Sequence, residues 1–268
     1  MRLTDCRVLL TGASGGIGLA LAEQLCMRGA QVLAVSRHPE TLARLRQRHP
    51  QQLSWVGADL RQAHGRQQVL EAARGMGGIN VLVNAAGVNA FAMLEQVDEG
   101  QIEDMLALNV TATLQLTRTL LPVLRQQSHG LVVNVGSIYG SIGYPGYAVY
   151  CASKFALRGF SEALRRELAD TPVNVLYVAP RATRTSMNSQ AAMALNAELK
   201  VGVDEPEQVA SAVIAAIEKD LSELYLGWPE KFFVRLNGML PGIVDRALHK
   251  QLPIIRRFSA AHHSKDHS

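Results

Sequence analysis

The sequence predicts a single α/β domain built on a doubly wound parallel sheet of about seven strands, with helices on both faces. Strand-like apolar runs alternate with helix-like stretches from Val8 to about Leu226, as in parallel strands joined by crossover helices. The chain has 268 residues, 48% of them hydrophobic, and contains no internal repeat, low-complexity tract or Pro/Ser-rich linker. We therefore expect one domain over residues 1–229 and a C-terminal amphipathic helical extension over residues 230–268.

A glycine-rich turn follows the first predicted strand. The apolar run at residues 7–10 leads into the sequence TGASGGIG at residues 11–18, and apolar residues then recur at helical spacing. A strand, a glycine turn and a helix in this order let backbone N–H groups approach a pyrophosphate at the helix N-terminus. Gly12, Gly16 and Gly18, in the spacing G-x-x-x-G-x-G, therefore predict a nucleotide site.

Other strands also end in residues that suit a ligand site. The predicted strand at residues 79–83 runs into the sequence NAAG at residues 84–87, whose small residues leave room for a flat ligand against the backbone. The strand at residues 131–135 is followed by Ser137, and Asn109 lies within a long helical pattern. Taken alone, Ser137 would be a strand-end cap and Asn109 a satisfied core amide.

Tyr150 and Lys154 are four residues apart and share one face of a predicted helix. A nearby ammonium group favours the ionised phenol, so we expect Lys154 to lower the Tyr150 pKa toward the range useful for proton exchange near neutral pH. The spacing alone is weak, because a solvated helix face often contains it. Cys151 points to a different side of that helix, and we expect it to be packed rather than catalytic.

Together these motifs resemble those of the short-chain dehydrogenase/reductase family, in its shorter-chain branch. The family has a TGxxxGxG turn, an NAAG stretch and a YxxxK pair, and the match runs in order over roughly residues 5–228. The resemblance implies a Rossmann-type fold and an oxidoreductase with the catalytic residues Asn109, Ser137, Tyr150 and Lys154. No metal is expected, because the three cysteines form no metal spacing.

The resemblance further implies a nicotinamide coenzyme. The expected coenzyme contacts, from the resemblance and from residue chemistry, are Gly12, Ser14, Gly16, Ile17, Gly18, Ser36, Arg37, Asp59, Leu60, Asn84, Ala85, Ala86, Gly87, Tyr150, Lys154, Pro180, Thr183 and Thr185.

The resemblance also implies a mechanism of hydride transfer between the nicotinamide and a carbon that bears oxygen. Ser137 would hydrogen-bond the substrate oxygen, and Tyr150 would exchange its proton with it. Lys154 would tune Tyr150 and hydrogen-bond the nicotinamide ribose, while Asn109 would anchor a water chain.

One position departs from the family pattern. The family usually has Pro-Gly after the sixth strand, with a Thr four residues beyond the glycine. This chain has Pro180 and Thr185 but Arg181 in place of the glycine. We expect either that the close backbone approach there is lost or that the local conformation accepts a side chain.

The end of the second strand favours NADP(H) over NAD(H). An acidic residue there would bind the ribose hydroxyls of NAD and repel a 2′-phosphate, whereas this chain has Ser36 and Arg37. Arg37 can pair with the phosphate, with help from the Ser14 hydroxyl. The alternative is that Arg37 is a solvated loop residue, and Gly15 stands where some NADP-using relatives have a second basic residue. Asp59 resembles the family's adenine-contacting aspartate.

The predicted substrate is apolar. The expected lid at residues 186–199 is rich in Met and Ala, which suits an apolar ligand but would also suit an ordinary packed helix. We expect an NADPH-dependent reductase of an apolar, lipid-like or acyl carbonyl compound, or the reverse reaction. One alternative is a 3-oxoacyl-thioester reductase that docks a carrier on Arg158, Arg165 and Arg166. Another is a non-catalytic NADPH sensor or scaffold, which the presence of the catalytic residues disfavours.

The charge pattern argues against a nucleic-acid partner. The net charge is +4, and residues 230–268, with seven Lys or Arg against three Asp or Glu, account for all of it.

Three cysteines form no metal spacing, and neither a signal peptide nor a spanning apolar stretch is expected. We expect a cytoplasmic protein, with peripheral attachment at the inner face of the membrane as the alternative.

The sequence predicts that the extension forms two short amphipathic helices, with a break near Gly238, Pro241 and Gly242. Cations lie beside an apolar stripe on these helices. The stripe suits either an anionic membrane surface or packing on the core or another subunit. Before it, Asp204 is expected to cap a helix. The family resemblance suggests a homodimer or homotetramer with helices near residues 101–126 and 150–169 at the interface.

Overall fold

The computed structural model of this chain describes residues 1–263, so residues 264–268 of the predicted extension lie outside the described part. Seven parallel strands form one sheet in the order β3-β2-β1-β4-β5-β6-β7. The strands are β1 (Arg7–Thr11), β2 (Gln31–Ser36), β3 (Leu53–Gly57), β4 (Val81–Asn84), β5 (Gly130–Val135), β6 (Val173–Ala179) and β7 (Glu223–Tyr225). The predicted fold class is confirmed.

Helices cover both faces of the sheet. They are α1 (Gly16–Met27), α2 (Ala43–Arg48), α3 (Ala63–Gly75), α4 (Glu99–Leu106), α5 (Thr113–Arg125), α6 (Ala148–Glu167), α7 (Gln190–Glu198), α8 (Pro206–Glu218), α9 (Glu230–Met239) and α10 (Pro241–His263). Short 3-10 turns lie at Leu3–Asp5, Pro39–Leu42, Leu94–Gln96 and Ile138–Gly140.

The core has two layers because successive strand residues point to opposite faces of the sheet. In β1, Val8 and Leu10 pack with α1 and α8 on one face, whereas Leu9 packs with α3 and α5 on the other. This parallel arrangement brings the carboxyl ends of all the strands to one edge. The glycine turn after β1, the NAAG segment after β4 and Ser137 after β5 therefore meet there.

Asn109 does not lie in a continuous α-helix. A π-helical turn, Ala107–Ala112, separates α4 from α5 and contains it. The sequence pattern predicted one long helix across this region, and the turn inserts an irregularity that apolar periodicity does not reveal. Such turns are rare and occur often at functional sites.

Asp204 does not cap α8. Glu205 is the residue at the N-cap, with Pro206 in the first turn and Gln208 completing a capping box. The Asp204 carboxylate is instead held by Arg181, and its backbone bridges to Thr183, so its side chain is not free to cap the helix.

The extension breaks where the sequence predicted, between α9 and α10, but α10 is not short. It has 23 residues and continues through Pro253. Packing supports it along its length, because Val244 and Ile255 are buried against the core. No helix within residues 1–263 combines the length and apolarity needed to cross a bilayer.

Candidate active site

The glycine turn forms the floor of a cleft at the carboxyl edge of the sheet. Gly12 has φ +67°, and a Cβ atom there would lie 2.7 Å from the Ala86 nitrogen. A Cβ on Gly18 would lie 2.1 Å from the Gly12 carbonyl oxygen. Both positions therefore require glycine, and the tight turn brings the N-terminus of α1, which begins at Gly16, to the cleft.

Thr11 organises the neighbouring backbone and was missed by the sequence analysis as a site residue. Its buried hydroxyl accepts hydrogen bonds from the backbone nitrogens of Ala85 at 3.0 Å and Ala86 at 3.1 Å. It also donates to the Val83 carbonyl at 3.3 Å. Its position as the first residue of the TGxxxGxG turn could have identified it as a site residue.

The side chain of Asn84, a predicted coenzyme contact, points into the interior rather than into the cleft. Its Nδ2 donates to Asn134 Oδ1 at 2.8 Å and to Thr117 Oγ1 at 3.1 Å in the interior. Asn134 in turn donates to Ser161 Oγ at 2.8 Å. Residues alternate between the two faces of β4, so Asn84 points toward α5 and α6 and stiffens the sheet beneath the cleft.

Tyr150, Lys154 and Ser137 come together at the cleft. Tyr150 and Lys154 lie on one face of α6, are 9% and 6% exposed, and the Lys154 Nζ is 5.6 Å from the centre of the Tyr150 ring. Nζ donates to the Val135 carbonyl at 3.1 Å, next to Ser137. All three residues line the cleft, so a reacting group could meet a phenol, a hydroxyl and an ammonium group there.

Burial controls the protonation of this pair. It raises the pKa of Tyr150 to about 12, although hydrogen bonding with Ser137 acts in the opposite direction. Burial also lowers the pKa of Lys154 to about 8. The expected lowering of the Tyr150 pKa is therefore wrong for this structure, because loss of water around the phenol is the largest influence on it.

Asn109 is fully engaged with the protein. Its Oδ1 accepts from the Val88 nitrogen at 2.9 Å, and its Nδ2 donates to the Val88 carbonyl at 2.9 Å and to Ser153 Oγ at 3.0 Å. Ser153, which the sequence analysis did not single out, donates to the Tyr150 carbonyl at 2.7 Å. The Asn109 amide thus joins the π-helical turn to the segment after Gly87 and to α6.

The hydroxyls of Ser14 and Ser36 meet at the end of β2. The Ser36 hydroxyl donates to Ser14 Oγ at 2.8 Å and accepts from the His38 nitrogen at 3.0 Å. Arg37, beside them, is exposed. The two hydroxyls, with exposed Arg37 next to Ser36 in the chain, give this corner beyond the glycine turn a polar, cationic character.

An ion pair lies just after the end of β3. Asp59 is ion-paired with Arg61 at 2.8 Å, and this hydrogen bonding lowers the pKa of the Asp59 carboxyl. Arg61, which the sequence analysis missed, also pairs with Asp104 at 2.6 Å. The Leu60 side chain lies in the apolar cluster that also contains Val69, so a coenzyme contact here would involve its backbone.

The loop after β6 accepts the arginine that replaces the family glycine. Arg181 points toward Asp204 and Glu230, at 2.7 Å and 3.5 Å. A Cβ on Gly202 would lie 2.2 Å from its Nη1, and one on Gly227 would lie 2.6 Å from its Cδ. The conformation thus tolerates the side chain, because two other glycines leave it room.

The loop after β6 also contains the predicted residues Thr183 and Thr185, and it contacts the glycine turn. A Cβ on Gly16 would lie 2.6 Å from Thr185 Cγ2, so Thr185 rests on the start of α1. Thr183 is buried, and its hydroxyl donates to the Arg181 carbonyl at 3.0 Å. The predicted residues that line the cleft are Gly12, Gly16, Ile17, Gly18, Ala85, Gly87, Ser137, Tyr150, Lys154, Pro180, Thr183 and Thr185.

Aromatic rings form one wall beside Tyr150. Phe91 stacks on Tyr147 with ring centres 5.1 Å apart, and Tyr139 meets the edge of Tyr150 at 6.4 Å. Ile255 of α10 and Leu195 of α7 pack into the same cluster. Burial raises the pKa of Cys151, which lies in this cluster too, so its thiol is packed as predicted.

Among residues 1–263, no cluster of acidic, His or Cys side chains could hold a metal.

A parallel sheet with a glycine turn at its carboxyl edge and a buried Tyr–Lys pair defines a dinucleotide-dependent oxidoreductase. A family model described as short chain dehydrogenase matches residues 7–196, and the chain belongs to this family. It is an oxidoreductase of the kind that acts on carbonyl or hydroxyl substrates, as the predicted family resemblance implied.

Curated relatives agree with this assignment. The chain is 32% identical over 256 residues to the ketoacyl reductase HetN of Nostoc sp., covering 91% of this chain and 88% of the relative. It is 31% identical over 219 residues to the 3-oxoacyl-(acyl-carrier-protein) reductase FabG of Vibrio cholerae, covering 80% and 90%. Carbonyl reductase family member 4 of Xenopus laevis is 34% identical over 210 residues, covering 77% and 89%.

Solved structures match over nearly the whole chain. A short-chain dehydrogenase from Burkholderia cenocepacia, in complex with NADP, superposes with a TM-score of 0.80 at 28% identity and covers 92% of this chain and 99% of its own. One from Streptomyces avermitilis gives 0.79 at 29% identity, covering 94% and 98%.

Proposed function

We propose that this protein is an NADPH-dependent oxidoreductase that transfers hydride between the nicotinamide and the carbonyl or hydroxyl carbon of an apolar, lipid-like or acyl substrate. The buried Tyr150–Lys154 pair beside Ser137, at the cleft next to the glycine turn, carries the proposal. It places a proton donor, a hydrogen-bonding hydroxyl and a cation around one point. A sensor or scaffold without turnover would have no need of this arrangement.

The residues present fit a nicotinamide dinucleotide. Gly12, Gly16 and Gly18 keep side chains out of the path to the α1 N-terminus, where N–H groups favour a pyrophosphate. A Cβ on Gly87 would lie 3.7 Å from Lys154 Nζ, so backbone without a side chain faces the ammonium group. Lys154 and Thr185 would hold the nicotinamide end. When bound, the coenzyme supplies hydride for reduction or accepts it in oxidation.

Tyr150 donates the proton in the reductive direction. Because burial raises its pKa to about 12, the phenol is protonated near neutral pH and can protonate the substrate oxygen. Ser137 hydrogen-bonds that oxygen as negative charge develops on it. Lys154, which is mainly charged below about pH 8, stabilises the phenolate that remains.

Asn109 positions this group. Its hydrogen bonds to Val88 and Ser153 hold α6 against the segment after Gly87. Since both ends of its amide already bond to protein, we assign it a positioning role rather than side-chain anchorage of water.

The corner at Ser14, Ser36 and Arg37 supports NADP(H) over NAD(H). A 2′-phosphate would accept hydrogen bonds from the two hydroxyls and pair with the exposed guanidinium. Neither Ser36 nor Arg37 would accept a hydrogen bond from both ribose hydroxyls as a carboxylate does. The NADP of the Burkholderia cenocepacia structure accords with this choice.

The rings of Tyr139 and Tyr147, which line the cleft with buried Phe91 stacked behind Tyr147, support an apolar substrate. Acyl thioesters form a second candidate class, because two relatives are named as ketoacyl and 3-oxoacyl-carrier-protein reductases. A carrier would dock on α6, where Arg165 and Arg166 already pair with Glu223 and Glu162. Because these ion pairs are exposed and weak, a docking carrier could displace them, and the substrate panel below distinguishes the two classes.

Self-association would use α4 and α6. Each helix exposes a large apolar side chain, Leu106 at 38% and Phe155 at 41%, as expected for a face covered in a homodimer or homotetramer. Mass measurement by light scattering tests this, with Leu106→Lys and Phe155→Lys expected to reduce the oligomer. A monomeric wild-type protein would refute it.

A substrate panel tests the proposed function. Apolar ketones, sterols, 3-oxoacyl thioesters and sugars would be supplied with NADPH or NADH, and coenzyme oxidation followed by absorbance. We expect turnover of apolar ketones with NADPH. Turnover restricted to sugars, or a clear preference for NADH, would contradict the proposal.

A further inference from the structure

The outer side of the C-terminal helices exposes a run of large apolar side chains. This apolar surface consists of Trp228, Phe232, Phe233, Met239, Leu240 and Ile243. Trp228 and Met239 are the most open, at 73% and 79% exposed. Trp228 and Phe232 lie with ring centres 6.3 Å apart, and Phe232 and Phe233 at 5.8 Å, so the rings form a continuous patch. Patches of this kind mark interaction sites more often than isolated exposed residues do.

The opposite side of α9 is fixed to the domain. Val234 packs in the cluster around Tyr177, and Asn237 Nδ2 donates to the Ser141 carbonyl at 2.9 Å. Glu230 pairs with Arg181 at 3.5 Å. Because these contacts set the rotation of α9, the apolar surface faces away from the core and cannot fold back onto it.

Cations surround the apolar surface. Lys231 and Arg235 on α9, and Arg246 and Lys250 on α10, are all exposed. The acidic residues of the two helices, within residues 230–263, are Glu230 and Asp245, and Glu230 already pairs with Arg181. The region therefore presents an apolar centre with a net positive border.

We propose that this surface binds an anionic lipid bilayer from one side. Aromatic and aliphatic side chains would enter the interface, while the lysines and arginines would contact anionic headgroups. Two copies of this chain meeting through the same surface would bring their cations together, which disfavours self-association here. With no helix of residues 1–263 able to span a bilayer, the contact is peripheral. Glu230 borders the cleft from the side of α9 that faces the domain, opposite the apolar surface.

Vesicle sedimentation tests this proposal independently of enzyme activity. The full-length protein would be mixed with phosphatidylcholine vesicles or with vesicles containing phosphatidylserine, at low and high salt. We expect binding to the anionic vesicles that weakens with salt, and little binding to the neutral ones. The variant Phe232→Ser/Phe233→Ser/Met239→Ser should bind at least about tenfold more weakly, because its apolar contacts are lost.

Matched variants distinguish binding through the apolar surface from non-specific adsorption to the vesicles. Lys231→Glu/Arg235→Glu should also lose binding, whereas Met27→Ser and Arg74→Glu, exposed residues on α1 and α3, should not. Thermal unfolding would show that each variant is folded. Absence of vesicle binding at low salt, equal loss in the control variants, or a change of molecular mass in the triple variant would overturn the proposal. The last result would instead indicate a subunit interface.

Discussion

Arg181 and Asp204 form a two-pronged contact, in which Nε and Nη2 of the guanidinium donate to one carboxylate oxygen at 3.0 Å and 2.7 Å. Both side chains are largely buried, and Glu230 closes the cluster from the start of α9. The contact ties the loop after β6, which lines the cleft, to the residue before α8 and to the C-terminal helices. An arginine at this position therefore has a structural role that a glycine could not have.

Arg181→Met should lower the free energy of unfolding by about 2–4 kcal/mol, because two largely buried carboxylates lose their cation. Asp204→Asn added to it should cost less than the sum of the single changes, since the variants share one contact. Urea unfolding of the double-mutant cycle measures this. Arg184→Met, which removes an exposed pair with Glu205, serves as the control and should change stability by no more than about 0.5 kcal/mol. Additive changes would show that Arg181 and Asp204 are not coupled.

Arg37→Asp should reverse the coenzyme preference. The carboxylate repels a 2′-phosphate and can bind ribose hydroxyls, so NADPH affinity should fall by roughly ten- to a hundredfold while NADH affinity is held or rises. Fluorescence titration of both coenzymes checks this, with Arg74→Asp on α3 as the control. Unchanged NADPH binding would show that Arg37 is only a solvated loop residue.

Lys154→Met should alter stability in a pH-dependent way. The Lys154 pKa is about 8 in the folded protein and has an ordinary value of 10.5, so below pH 8 the folded state bears the cost of a buried charge. Between about pH 8 and 10.5 the unfolded chain binds more protons, and wild-type stability gains roughly 2–3 kcal/mol relative to the variant.

Urea unfolding at pH 7 and at pH 10.5 measures this difference. The exposed Lys219→Met is the control and should show no comparable dependence. Parallel stabilities of wild type and Lys154→Met across this range would contradict the burial of a titrating ammonium group.

The parts of this molecule that were predictable from sequence are those encoded locally. The glycine turn depends on backbone conformation over a few residues, and Tyr150 and Lys154 share a helix face because they are four residues apart. The alternation of strands and helices likewise indicated the parallel sheet and so brought Ser137 to the same edge.

The features that escaped prediction depend on distant contacts. The direction of the Tyr150 pKa change follows from burial by α10, α7 and neighbouring rings, which spacing cannot reveal. Arg181 finds partners 23 and 49 residues away, and this pairing removed Asp204 from the role of helix cap. The length of α10 follows from packing of Val244 and Ile255, despite Pro253 within it.

The most direct measurement of the central claim is the turnover of Tyr150→Phe with NADPH and a ketone identified from the panel. Removing the phenolic hydroxyl should leave coenzyme binding intact and reduce turnover by about 10³-fold, within the range that a positioned proton donor contributes. Tyr144→Phe removes a hydroxyl from the same aromatic cluster, where it bonds Gln251, and should keep nearly full turnover. Turnover by Tyr150→Phe comparable to that of Tyr144→Phe would contradict the assignment of Tyr150 as the proton donor.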